Sequence, residues 1–117
     1  MWLFTPEGML SCTEYPTDRD YIQVRARQLH HLVGFIRRVD DEQDYDQSHV
    51  LYNAGTDYQY RVLVSRGLFA DWMDRYATRI DYSNFKDRAG SMHGYKSDYV
   101  KMLGRIWEDG MDTLSDD

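Results

Sequence analysis

Residues 21–27 alternate cleanly, with Ile22, Val24 and Ala26 on one face and Tyr21, Gln23, Arg25 and Arg27 on the other. A period of two predicts a half-buried strand with one solvated face. Before it, two short apolar stretches flank Pro6-Glu7-Gly8, turn or bulge chemistry inside extended structure, and Pro16 to Asp20 form a second turn cluster. The period then changes. Leu29, Leu32, Val33 and Ile36 follow the spacing of an amphipathic helix, with Arg37 and Arg38 in its last turn, where positive charge suits the helix dipole. After an acidic loop over 40–48, residues 49–54 and 58–65 predict a hairpin turning at Asn53 to Asp57. Tyr58, Tyr60, Val62 and Val64 are expected on one face of its return strand, and Gln59, Arg61, Leu63 and Ser65 on the other.

Ser65 is placed to cap the next helix, whose apolar stripe is Leu68, Phe69, Trp72, Met73, Tyr76 and Ile80. Asp81 to Lys86 break that stripe, with Phe85 expected as an anchor folded back on the core. A last helix over 92–109 has Tyr99, Val100, Leu103, Ile106 and Trp107 spaced for burial. The order β-β-α-β-β-α-α predicts an α+β fold, an antiparallel sheet of about four strands covered by helices. One domain over 1–109 and a frayed acidic tail over 110–117 are expected.

Charge and composition narrow the function. The chain has 117 residues, 14 Lys+Arg against 20 Asp+Glu, and one Cys. One cysteine excludes an internal disulfide framework and any paired-cysteine metal site. With no apolar span or secretory leader, the expected compartment is the reducing bacterial cytoplasm, with no membrane partner. Residues 40–46 hold five acids and 108–117 another five, which leaves ten acids against fourteen bases elsewhere. The acidic-loop candidates Asp40, Asp41, Glu42, Asp44 and Asp46 do not form a calcium loop, because Tyr45 stands where Gly is needed and Leu51 where Glu is needed.

No catalytic residue emerges. His30 and His31 are neighbours on a helix and point about 100° apart, while His49 and His93 lie on other elements. Cys12, among Ser11, Thr13 and Glu14, reads as a small half-buried side chain. Phosphate-cradle and common hydrolase motifs are absent. We therefore expect neither metal nor cofactor, and lean away from an enzyme. A motif-free enzyme using Asp81, Tyr82, Ser83 and Asn84 with a nearby His is the remote alternative. Ten Tyr and three Trp are a surplus for so small a chain, and Tyr, Trp and Arg dominate protein-binding hot spots. A small non-enzymatic protein-interaction module is the leading expectation, with Tyr21, Arg25, Tyr58, Tyr60 and Arg61 as contact candidates. Single-stranded nucleic acid on the sheet face is the less favoured alternative. Self-association would also absorb the aromatics.

Four segments carry a resemblance: Trp2 to Gly8, Val24 to Arg27, Asp57 to Arg61 and Ile80 to Lys86, with Tyr99 to Trp107 as the closing helix. Together they resemble a small α+β family of bacteria and their phages that has no established activity. The resemblance implies the fold and a bacterial or phage setting, and carries no residue roles. In that setting a phage accessory protein that binds and modulates a host factor is expected.

Overall fold

The first turn is built by one hydroxyl. Thr5 Oγ1 donates to the Gly8 carbonyl at 2.9 Å and accepts from the amides of Glu7 and Gly8 at 3.2 and 3.1 Å. Of the two expectations for Pro6-Glu7-Gly8, turn or bulge, the structure has the turn, and it makes two strands, β1 (Trp2–Thr5) and β2 (Gly8–Tyr15). The computed structural model describes residues 1–39, 45–114 and 116. Contacts group the chain into two compact units, Met1–Asp81 and Tyr82–Asp117.

In the first unit, β3 (Asp18–Ala26) follows the Pro16-Thr17 turn, with a register slip between Glu14 and Tyr15. β4 (Leu51–Tyr52) and β5 (Tyr60–Ser65) complete an antiparallel sheet ordered β1-β2-β3-β5-β4. The α+β class stands, with five strands among the described residues in place of about four. α1 (Leu29–Val39) and α2 (Arg66–Thr78) cover one face. Leu10, Cys12, Ile22, Val24, Ala26, Val62 and Val64 meet Leu32, Phe35, Ile36 and Val39 of α1 and Phe69 and Trp72 of α2 there. The alternation in β3 thus holds, because the period of two survives any choice of neighbour strand. Trp72 anchors the layer, edge to face with Phe35 at 4.8 Å and beside Tyr76 at 5.0 Å.

Ser65 Oγ accepts from the Leu68 amide at 3.2 Å and starts α2 as its spacing requires. α2 stops at Thr78, so Ile80 lies beyond the helix and is exposed, against the expectation of burial. Arg75 of α2 donates to the carbonyls of Arg38 and Val39 at 2.7 and 3.2 Å, closing the C-terminus of α1 and fastening the two helices. Arg38 also pairs with Glu7 at 3.0 Å.

In the second unit the expected single helix is two. Asn84 Oδ1 accepts from the Asp87 amide at 3.1 Å and starts α3 (Phe85–His93), so Phe85 opens a helix rather than ending a break. Gly94, at φ 92°, ends it, and Ser97 caps α4 (Asp98–Thr113). Tyr99 and Leu103 are buried, whereas Ile106 and Trp107 are exposed, and Lys86 lies over the Trp107 ring at 4.5 Å. Residues 110–113, expected in the tail, continue α4. No helix among the described residues is long and apolar enough to cross a membrane.

Candidate interaction surface

The strand registers place one row of side chains across the face opposite α1 and α2. Trp2 pairs with Ser11, Ser11 with Arg25, Arg25 with Arg61, and Arg61 with Leu51. Directly paired residues of antiparallel strands project on the same side. With strands about 4.8 Å apart, the row spans about 19 Å. Its ends are open, Trp2 at 65% and Leu51 at 56% exposure, while Ser11 lies flat between larger neighbours at 1%.

The turn before β5 fixes the centre of the row. Asn53 Oδ1 accepts from the Gly55 amide at 3.0 Å, and the Thr56 hydroxyl lies 2.9 Å from the carbonyls of both Asn53 and Tyr58, between which its one hydrogen is shared. This side-chain-closed turn runs past the expected strand start. Tyr58 therefore precedes the ladder, and its ring lies against the guanidiniums of Arg25 and Arg27, each 4.9 Å from the ring centroid. Tyr60 enters the ladder on the other face, beside Tyr52 at 5.1 Å and against the core. The expectation that Tyr58 and Tyr60 share a face fails for that reason.

Arg25 donates through Nη2 to Ser11 Oγ at 2.8 Å. Arg61 donates to Gln23 Oε1 at 3.3 Å and to Thr56 Oγ1 and the Tyr58 carbonyl at 3.1 Å. Arg27 Nε donates to the Asp57 carbonyl at 3.3 Å. All five bonds end on neutral oxygens. Among the described residues no carboxylate pairs with Arg25, Arg27 or Arg61, whereas Arg19, Arg38 and Arg66 each meet a glutamate. Nε of Arg25 and of Arg61 is buried without an acceptor there. Like charges directly opposite on neighbouring strands destabilise a sheet, so this centre holds positive charge that no acid among the described residues compensates.

Of the five contact candidates, Arg25, Tyr58 and Arg61 come together. Tyr21 shares their face at 39% exposure, four residues along β3 and about 13 Å away, and Tyr60 faces the core. Trp2 and Leu51 escaped the sequence reading, because only cross-strand register brings such distant positions into one row. Asp40, Asp41, Glu42 and Asp44 lie outside the described residues. Asp46 caps a short 3-10 turn over Gln47–His49. Hydrogen bonds from the Ser48 hydroxyl and amide hold its carboxyl below the ordinary aspartate value.

The other candidates have local duties. Burial pushes the Cys12 thiol up to about 11, far from a reactive thiolate. His31 is buried and accepts the Met9 amide through Nδ1 at 3.3 Å, and its ring meets His30 edge to face at 4.4 Å instead of pointing away. His49 Nδ1 accepts the Asp46 amide at 3.2 Å, and His93 lies against Tyr99. In the 81–84 segment Asn84 caps α3, and Arg88 covers the Tyr82 ring at 5.2 Å. Comparison with models of protein families, with curated proteins and with solved structures gives no match to this chain.

Proposed function

We propose that this chain is a small protein-interaction module that binds its partner across the sheet face opposite α1 and α2. The observation that carries the reading is the single row from Trp2 through Arg25 and Arg61 to Leu51, with exposed apolar groups at its ends and fixed arginines at its centre. An arginine centre flanked by apolar anchors is the composition of a protein-binding hot spot. Tyr58 and the Ser11 hydroxyl already hold Arg25, so little side-chain freedom is lost on binding. What supports a bacterial host factor as the partner, met in the cytoplasm and modulated by binding, is the resemblance to a family of bacteria and their phages.

Stacking of single-stranded nucleic acid fits less well. Tyr58 is 4% exposed and Tyr60 faces the core, so neither ring offers a face to a base. The net charge of −6 also opposes a polyphosphate.

The test is affinity capture from bacterial lysate with the whole chain as bait, after nuclease and in high salt, read by mass spectrometry. We expect one stoichiometric protein with wild type, lost when bait carries Trp2→Ala and Leu51→Ala and kept when it carries Trp107→Ala. Equal capture by the Trp2→Ala/Leu51→Ala bait, or recovery of nucleic acid alone, overturns the reading.

A further inference from the structure

The row identifies the chemistry of the partner as well as its place. Each guanidinium has five N–H donors, and Arg25 gives one of them, Arg61 three and Arg27 one, all to neutral oxygens. Three other arginines of the first unit do meet acids, while Arg75 is held by backbone carbonyls. Glu14 meets both Arg19 and Arg66, and Glu7 meets Arg38. At the centre of the row two cations stand on neighbouring strands with no acid between them among the described residues, and the nearest acid in sequence to Arg61, Asp57, is engaged through its backbone carbonyl. Tyr58, Ser11, Gln23 and Thr56 hold both forks in place before any ligand arrives.

We infer that the Arg25–Arg61 pair is a receptor for a carboxylate side chain, Asp or Glu, on a short segment of the protein partner, and that apolar residues on either side of that acid reach Trp2 and Leu51. This rests on the protein-binding reading above. A planar carboxylate suits a pair of guanidinium forks. A phosphodiester strand needs a track of cations, and here three arginines cluster in one place on a chain of net charge −6. The spacing sets the segment. An extended peptide advances about 3.3 Å per residue, so about six residues cover the 19 Å row. Apolar side chains two or four residues from an acid then share its face.

The test uses the whole chain, labelled with 15N, and three probes: the amidated, acetylated peptide Phe-Ser-Glu-Ser-Glu-Ser-Leu, its twin with Gln at both Glu positions, and a single-stranded oligo-dT. The readouts are the Nε–H resonances of Arg25 and Arg61 and the Trp2 indole resonance. We expect the Glu peptide to move all three saturably and the Gln twin to bind at least tenfold more weakly. Arg61→Gln should cost the Glu peptide at least tenfold and leave the twin unchanged. Should Arg61→Gln disturb the amide spectrum as a whole, Arg25→Gln repeats the test at the other fork. Equal affinity for the two peptides, no movement of the arginine resonances at millimolar peptide, or salt-sensitive binding of oligo-dT at these resonances overturns the inference. A lysate partner lost with Trp2→Ala and Leu51→Ala but indifferent to Arg61→Gln would sink the carboxylate receptor alone. A partner indifferent to all of these would sink the protein-binding reading with it.

Discussion

The arginine pair should repel itself measurably, and a double-mutant cycle isolates that repulsion from the hydrogen bonds each side chain makes. Directly paired side chains on antiparallel strands start about 5 Å apart at Cβ. At a charge separation of about 6 Å and an effective dielectric of about 20, the repulsion is about 3 kcal/mol before screening. Both side chains are half-buried, so solvent and a Debye length of about 10 Å at 0.1 M salt reduce this to about 1 kcal/mol. Arg25→Gln and Arg61→Gln each lose bonds to Ser11 or to Gln23, Thr56 and Tyr58. The cycle removes those losses from the comparison. Each single variant already relieves the whole repulsion, so the double variant should fall short of the sum of the two single changes by about 1 kcal/mol at low salt, and the shortfall should vanish near 1 M NaCl. Urea unfolding followed by tryptophan fluorescence reads it, since 1 kcal/mol shifts the midpoint by about 0.5 M at a slope of about 2 kcal/mol per molar. Zero coupling at low salt, or coupling that favours the pair, would mean that an acid already compensates the arginines, and the carboxylate receptor would lose its basis.

Three further outcomes test the fold that carries the row. Trp72→Ala should cost about 3–5 kcal/mol by urea unfolding. Trp72→Phe should cost under about 1 kcal/mol, because it keeps a ring between Phe35 and Tyr76 and removes an indole N–H buried without an acceptor. A phenylalanine as costly as the alanine would refute this. Gly8→Ala would drive its Cβ into the buried His31 ring and should destabilise by about 2 kcal/mol or more, read as a drop in melting temperature. The Cys12 thiol is raised from 9.0 to about 11, so the folded state favours the neutral form. Its contribution is complete below pH 9.0 and falls as pH rises toward about 11, by up to about 2 kcal/mol. Cys12→Ala should flatten that alkaline loss, and an unchanged slope would contradict it.

What the sequence made legible follows from which interactions are local. The alternation in 21–27 and the Ser65 cap depend on neighbours within a few residues; the facing and the cap hold, although Gln23 on the outer face is itself buried. The β1–β2 hairpin was legible only as turn or bulge, because Thr5 closes it with a hydroxyl and Pro-Glu-Gly reads equally as either. Tyr58 changed face because Asn53 and Thr56 lengthen the turn by side-chain bonds that spacing does not register. Ile106 and Trp107 have the helical spacing of buried residues, yet spacing does not say which side of a helix is covered, and both are exposed on α4. Arg25 and Arg61 were legible as outer-face residues. That they stand opposite one another required the pairing of β3 with β5 across 36 positions of chain.

If uncompensated charge is what the row offers a partner, an acid supplied from within the sheet should abolish the offer without harming the fold. Leu51 is the place to supply it. It is directly paired with Arg61 on the two-residue edge strand β4, and at 56% exposure it contributes little to the core. Leu51→Glu sets a carboxylate beside the Arg61 fork, and an opposite-charge cross-strand pair contributes about 0.2–1 kcal/mol. The variant should therefore melt at or above the wild-type temperature while losing at least tenfold in affinity for the Glu peptide. Leu51→Gln controls for the lost leucine, having the same shape as the glutamate and no charge, and it should keep most of the affinity that depends on the arginines. Stability conserved while binding is lost is the signature of a site held open at the expense of the fold. Equal affinity of Leu51→Glu and Leu51→Gln for the Glu peptide would show that the arginines are not what the carboxylate meets.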